Sequence, residues 1–173
     1  MQSDADLVRA VGQGDGAALA ELCSRWDRRL YRFLHRCGSG DDADDLFQET
    51  WIRVVRSAPR FDAERRFSTW LFQIALNLAR DLARRRARFD PEPAPEPTDE
   101  DAVDRMDRSI DARRLLDALP EAQREVVILR MFADLSEEEC AEVLRCPRGT
   151  VKSRLHLAVK RLAERAGATE GSR

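Results

Sequence analysis

The chain is poor in the residues that staple small folds, hold metals or build sheets. Its four cysteines, Cys23, Cys37, Cys140 and Cys146, contain no C-x-x-C pair. Cys140 and Cys146 have only His156 near them, and His35 stands beside Cys37, a spacing that suits no zinc site. Four ordinary reduced thiols and no metal are expected. There is no sustained period-2 alternation, and most β-branched residues fall in helical patterns, which excludes a sheet. No apolar run is long enough to span a bilayer, and the N-terminus is acidic with no apolar segment after it. No nucleophile–base pair or phosphate loop is visible, which speaks against an enzyme and against a cofactor. These absences leave a soluble, cytoplasmic, all-α protein without membrane insertion.

Charge, by contrast, is plentiful and segregated. The net charge is only −2. Residues 53–88 nevertheless hold ten arginines against three acids, and residues 89–111 hold nine acids against two arginines. Residues 134–144 hold five acids and no base, and residues 145–165 hold seven bases against Glu164. Two basic blocks, each beside an acidic one, suit two polyanion-binding surfaces, although one such block alone is commonly a solvated helix face.

Helical periodicity runs along most of the chain. Asp4 is expected to cap a helix ending near Gly12, and Asp15 a second carrying Leu19, Leu22, Trp26, Leu30, Phe33 and Leu34. Asp41 or Asp42 caps a third, which stops before Pro59. Ser68 is expected to cap a fourth, "FSTWLFQIALNLARDLARRRARF" (67–89). Composition then shifts. "DPEPAPEPTDED" (90–101) has four alternating prolines and six acids, which cannot form helix or central strand. The chain therefore divides into two small helical domains, residues 4–88 and 108–166, joined by an acidic linker over 89–107. In the second domain a helix to Ala118 is followed by another beginning at Pro120.

Residues 136–163 read as a helix-turn-helix. Ser136 and Glu139 form a capping-box pattern, and Ala141 leaves room for a steep crossing. Leu144, Val151 and Leu155 supply the wedge, and Pro147 and Gly149 mark the break. The first helix is acidic and the second basic. Arg148, Thr150, Lys152 and Ser153 would enter a major groove, with Arg154 and Lys160 beside phosphates. The plain alternative is a helical hairpin with a basic surface.

Residues 67–89 mix two chemistries. Phe67, Trp70, Leu71, Ile74, Leu78 and Leu82 recur at helical spacing and belong to a core. Gln73, Asn77, Arg80 and Arg84 form a second stripe, with Asp81 beside it. Amides read base edges and guanidiniums hold phosphate. The preceding loop holds Arg60, Phe61, Arg65 and Arg66, aromatic and basic groups together, as single strands require. Trp70 and Phe72 are assigned to the core rather than to stacking on bases.

Four stretches carry a family resemblance: "DDADDLFQETWIRV" (41–54), "FSTWLFQIALNLARDLARRR" (67–86), "LPEAQREVVILRMFADLSEEECAEVL" (119–144) and "CPRGTVKSRLHLAVKRL" (146–162). In this order they resemble bacterial RNA polymerase sigma factors of the sigma-70 family, in particular the extracytoplasmic-function subgroup, which keeps only regions 2 and 4. The resemblance implies that Asp42, Asp45, Leu46, Gln48 and Glu49 dock on core RNA polymerase. It implies that Phe61, Arg65, Arg66, Gln73, Asn77, Arg80, Asp81, Arg84 and Arg85 open and hold the −10 element, one base being flipped. It places Arg148, Thr150, Lys152, Ser153, Arg154 and His156 at the −35 duplex. A further implied partner is an anti-sigma factor wedged between the domains, with the free protein a monomer.

The pattern departs from the family at Cys140, where an Ile-like residue is expected, and at Arg145, which replaces a turn glycine. Leu157 and Val159 replace the usual basic residues. Two other readings compete. A free-standing helix-turn-helix regulator would need a dimerisation seam or a sensor domain, and neither is visible. A redox or metal switch would rest on Cys140, Cys146 and His156.

Overall fold

The computed structural model describes residues 2–37, 40–89 and 113–170, and the expected linker, but for Phe89, lies outside them. The described residues are helical and contain no strand. Helices α1 (Asp4–Gly12), α2 (Gly16–Cys37), α3 (Gly40–Ser57) and α4 (Phe67–Phe89) form the first unit, with a 3-10 turn at Ala58–Arg60. Residues 113–117 are helical, and α5 (Glu121–Met131), α6 (Glu137–Leu144) and α7 (Arg148–Glu170) complete the second unit.

Capping chemistry sets most boundaries. Ser3, rather than Asp4, caps α1, its Oγ accepting from the Asp6 amide at 3.2 Å. Asp4 instead ties α1 to α2, accepting from Arg25 Nη1 at 2.8 Å and from Trp26 Nε1 at 3.0 Å. Asp15 caps α2 as expected, its Oδ1 accepting from the amides of Ala17 and Ala18. Helix α3 starts at Gly40, so Asp42 lies inside its first turn. Helix α4 starts at Phe67, so Ser68 is not its cap and its hydroxyl is available elsewhere.

The core of the first unit is aromatic. Phe72 is fully buried and meets Phe33 edge-on at 5.3 Å and Trp26 at 6.3 Å. Trp26 also meets Phe67 at 5.7 Å. Such edge-on pairs each add about 0.5–1.5 kcal/mol beyond the area they bury. Trp51 and Val54 of α3 and Leu71 and Leu78 of α4 close the bundle.

In the second unit α5 is buried through the run Val126, Val127, Ile128 and Leu129. The capping box is formed: Ser136 Oγ accepts from the Glu139 amide at 3.1 Å, and Glu139 Oε2 accepts from the Ser136 amide at 2.8 Å. Val151 and Ala158 of α7 are buried, with Leu144, Leu155 and Leu162 packed against them. Arg145 occupies the left-handed position after α6 with φ +52°. That conformation is the one a glycine adopts without a Cβ clash, which is why a glycine was expected at this turn.

The units pack on one another, α4 against α6 and α2 against α5. Buried apolar residues of both belong to one cluster. Helix α4 is therefore enclosed on more than one side, and Ala75, Leu76 and Ala79 are buried along with the expected stripe. Sequence periodicity within one unit gave no signal for this second packing face.

Candidate nucleic-acid interface

The stripe on α4 splits into residues that reach solvent and residues that do not. Asn77, Arg84 and Arg85 are exposed, and Arg84 pairs with Asp81 one turn earlier. Gln73, expected on the reading face, is buried at 8% exposure, and its Oε1 accepts from Arg65 Nη2 at 3.1 Å. Arg80 grips Glu125 of α5 with two bonds, Nε to Oε1 at 2.5 Å and Nη2 to Oε2 at 2.7 Å. This fork is the geometry by which a guanidinium also takes phosphate. Arg86, at the end of α4, reaches Asp42 at 2.5 Å and joins α4 to α3.

The loop before α4 is built by a local turn. Asp62 Oδ1 accepts from the Glu64 amide at 3.0 Å, and the Asp62 carbonyl accepts from the Arg65 amide. Arg65 and Arg66 are thereby presented at the surface. Phe61 does not stand free for stacking on a base, because its ring packs on Trp70 at 4.8 Å. Trp70 and Phe72 serve the core, as expected.

On α7, Lys152, Ser153 and His156 lie on the exposed side, and Thr150 is half-buried. The acids of α6 hold the start of this helix. Arg148 meets Glu137 at 3.0 Å and Glu138 at 2.5 Å, and Lys152 lies 3.8 Å from Glu137. Arg154 turns toward the first unit. It lines a cleft of about 650 Å³ together with Arg80, Arg84, Arg124, Glu121 and Glu125. Residues expected on two separate DNA surfaces thus meet in one cleft, with four arginines against two glutamates. Leu157 and Val159 are exposed, at 46% and 57%.

A third surface lies on α3. Asp45 and Gln48 are exposed and Glu49 is half-buried, paired with Arg53 at 3.0 Å. Leu46 is buried at 5% and supports the helix from beneath, so it is not part of the exposed face. Ile52 and Val55 count among the apolar residues of the third helix in the sequence, but were not expected on the docking face. Both are exposed, and with Asp45 and Gln48 they complete one stripe at 3-4 spacing. The signal was present as apolar residues one step off the core periodicity.

Five further contacts between units, made by four residues of the first, were also not read from sequence. Ser68 Oγ donates to Glu139 Oε1 at 2.6 Å. Arg29 donates to the Ala133 carbonyl at 2.6 Å and to the Asp134 carbonyl at 2.9 Å, and Arg32 donates to the Met131 carbonyl at 3.4 Å. The Arg36 guanidinium sits 4.9 Å from the Phe132 ring centre. Partial burial works against the Glu139 carboxylate. The hydrogen bonds from Ser68 and Ser136, with Arg66 nearby, outweigh it and hold its pKa below the usual carboxylate range.

Burial raises the thiol pKa of Cys23 to about 11 and of Cys140 to about 12, and raises that of Cys37 as well. None of these three carries a thiolate near neutrality, and Cys140 is buried whereas His156 is exposed. Among the described residues no group of three or more His, Cys, Asp or Glu is placed to hold a metal ion. No helix among them is long and apolar enough to cross a membrane.

Comparison with known proteins gives the same family for both units. The sigma-70 region 2 family matches residues 22–89, and sigma-70 region 4 matches residues 109–162. The chain is 31% identical to the ECF RNA polymerase sigma factor SigW of Bacillus subtilis, over 86% of this chain and 89% of that protein. It is 34% identical to the ECF RNA polymerase sigma factor RpoE of Cereibacter sphaeroides, over 91% and 92%. Its fold is similar to CnrH, solved with the cytosolic domain of CnrY, with a TM-score of 0.80 and 27% identity over 96% of this chain and 99% of that one. It is also similar to a sigma factor RpoE of Bartonella quintana, solved with the anti-sigma factor NepR. There the TM-score is 0.69 and the identity 28%, over 84% of this chain and 94% of that one.

Proposed function

The chain belongs to the extracytoplasmic-function sigma factors of the sigma-70 family, and on that premise we propose how its surfaces divide the work of promoter recognition. As an alternative sigma factor it binds core RNA polymerase and directs promoter-specific initiation, and it performs no covalent chemistry itself. Residues 4–88 act as region 2 and residues 108–166 as region 4. The site of action is the cytoplasm.

The stripe Asp45, Gln48, Ile52 and Val55, with Glu49 beside it, docks on core polymerase. Its apolar end buries area and its acidic end orients the contact. Asp42 acts indirectly, holding the start of α3 to α4 through Arg86. Asn77 then reads a base edge, while Arg84, Arg85, Arg65 and Arg66 hold the strand backbone. Flipping one base costs a few kcal/mol, which contacts to the open strand offset. On the duplex, Lys152, Ser153 and His156 face the groove at the −35 element, and the first turn of α7 lies against phosphate. An anti-sigma factor controls the chain, as the solved relative bound to NepR suggests.

One observation carries this reading: the exposed face of α4 and the exposed face of α7 present different chemistry. The α4 face is an amide with clustered guanidiniums, suited to an open strand. The α7 face is the leading turn of a capped helix-turn-helix, suited to a duplex. In vitro transcription with core polymerase over a promoter library tests it. Initiation above core alone is expected. Asn77→Ala should impair strand opening at every promoter used. Lys152→Ala should weaken closed-complex binding and reduce its salt dependence by about one phosphate contact. Initiation no better than core alone would refute the sigma role for this chain. Unchanged transcription in both variants would refute the surface assignment.

A further inference from the structure

We infer that the cleft between the two units is a binding site for a nucleoside polyphosphate, held by arginines from three helices. Arg84 comes from α4, Arg124 from α5 and Arg154 from α7, with Arg80 of α4 fixed behind them.

Of these four guanidiniums one is committed and three are available. Arg80 is locked in its fork with Glu125, and each neutralises the other. Arg84 is 68% exposed and pairs only with Asp81 of its own helix. Such a solvated pair is weak and gives way readily to a stronger acceptor. Arg124 reaches Asp117 at 3.4 Å, longer than the about 2.7–2.9 Å of a good charge-assisted bond. Arg154 is half-buried and makes no hydrogen bond or ion pair with any other described residue. A guanidinium partly withdrawn from water and given no acceptor favours an anion arriving from outside. Against the three stands Glu121, an exposed acid at the head of α5. Pro120 offers α5 no side-chain cap, and the positive end of that helix opens at Glu121 and Ala122 in the same wall.

Size and lining set the ligand class. The cleft holds about 650 Å³, within the range of about 300–1,000 Å³ of small-molecule sites. Three guanidinium forks accept two oxygens each, more than a single phosphate carries, whereas a chain of phosphates supplies them. The rest of the wall is apolar: Ala83 and Ala87 of α4, Ala122 of α5 and Leu144 of α6. Small apolar side chains beside guanidinium planes suit a planar base, because arginine stacks on aromatic faces as well as holding phosphate. An inorganic polyphosphate would leave that wall in water. Arg124 belongs to neither of the DNA surfaces assigned above, so the cleft is not simply an extension of one of them. A ligand seated there touches both units, and the free chain should gain thermal stability as ligand concentration rises.

The test uses the full chain without polymerase or DNA, so its outcome does not depend on how the promoter surfaces are assigned. Isothermal titration calorimetry and thermal unfolding are followed with ATP, GTP, AMP and inorganic tripolyphosphate as probes. At least one of the two triphosphates should bind about tenfold tighter than AMP and than tripolyphosphate, and should raise the unfolding midpoint. Arg124→Gln and Arg154→Gln should each weaken that nucleotide about tenfold, the effect of losing one charge-assisted contact. Glu121→Gln removes the opposing carboxylate and should tighten binding about threefold, a gain that a folding defect cannot imitate. Arg56→Gln, an exposed arginine of α3 outside the cleft, should leave binding unchanged, which separates a built site from general attraction to a basic surface. The inference is overturned if neither ATP nor GTP binds, or if tripolyphosphate binds as tightly as the better nucleotide. It is equally overturned if Arg56→Gln weakens binding as much as Arg124→Gln does.

Discussion

Helices α4 and α7 are both basic, yet they neutralise their charge in opposite ways. On α7 the acids come from the helix just before it: Arg148 meets Glu137, 11 residues away, and Glu138 beside it. On α4 Asp81 serves Arg84 locally, but the other two acids come from far along the chain. Arg80 meets Glu125, 45 residues away, and Arg86 meets Asp42, 44 residues away. Local neutralisation builds a surface that is complete within one supersecondary motif. Remote neutralisation builds an interface, whose chemistry changes if the two units part. The first arrangement suits a reader that is always formed, and the second a reader that can be covered.

The largest expected effect is at the remote pair. Arg80→Ala would leave the Glu125 carboxylate buried without its partner. Removing one member of a buried pair costs about 3–5 kcal/mol, and the partial exposure of Arg80 reduces this to roughly 2 kcal/mol. Urea unfolding of the free chain, followed by circular dichroism, should show that loss. Glu125→Gln should show a smaller one, because the amide can still accept. If Arg80→Ala costs no more than an exposed pair does, the distinction between α4 and α7 is wrong.

This contrast also marks what was legible in the sequence. The helix-turn-helix could be read nearly complete because its determinants are near neighbours. Ser136 and Glu139, the small Ala141, the break at Pro147 and the acidic-to-basic switch all fall within one short segment. The left-handed residue at Arg145 was visible only as a missing glycine, and it took the backbone to show that the conformation persists without one. Helix α4 was half legible. Its core stripe follows helical periodicity, and Phe72 and Trp70 were placed correctly. That Arg80 is engaged could not be read, since its partner Glu125 arrives from beyond residue 120, and periodicity gave no sign that Gln73 is buried. The one hint was Glu125 itself, an acid directly before an otherwise apolar run. An acid at the head of a buried run needs a partner, and sequence names the need without naming Arg80.

The capping box comes next in size and sharpens the comparison, because Glu139 belongs to both schemes. Ser136→Ala should cost about 1 kcal/mol through loss of the cap. Acid should act on the same residue. The pKa of Glu139 is lowered in the folded chain, so its contribution is present above the ordinary carboxylate range and is lost as pH falls through the lowered value. Glu139→Gln should flatten that acid limb of the stability curve. A limb that survives the substitution would assign the acid sensitivity to other carboxylates and leave the bond to Ser68 as a passive contact.

The smallest effect is expected at Arg148, and its smallness is the informative part. Its side chain is 53% exposed and that of Glu138 47%, while Glu137 is half-buried at 25%. Pairs of this kind contribute about 0–1 kcal/mol, and salt screens them further. Arg148→Ala should therefore change unfolding stability by less than about 0.5 kcal/mol, with any change fading in high salt. Its effect on duplex binding should be larger than its effect on folding, because the two acids would then face the DNA without their cation. A stability loss approaching that of Arg80→Ala would mean that α6 depends on Arg148 to hold its place. The local surface would then be as conditional as the remote one. Near-silence in folding, with a measurable loss in binding, would identify Arg148 as a residue held ready by weak pairs that it can leave when a phosphate arrives.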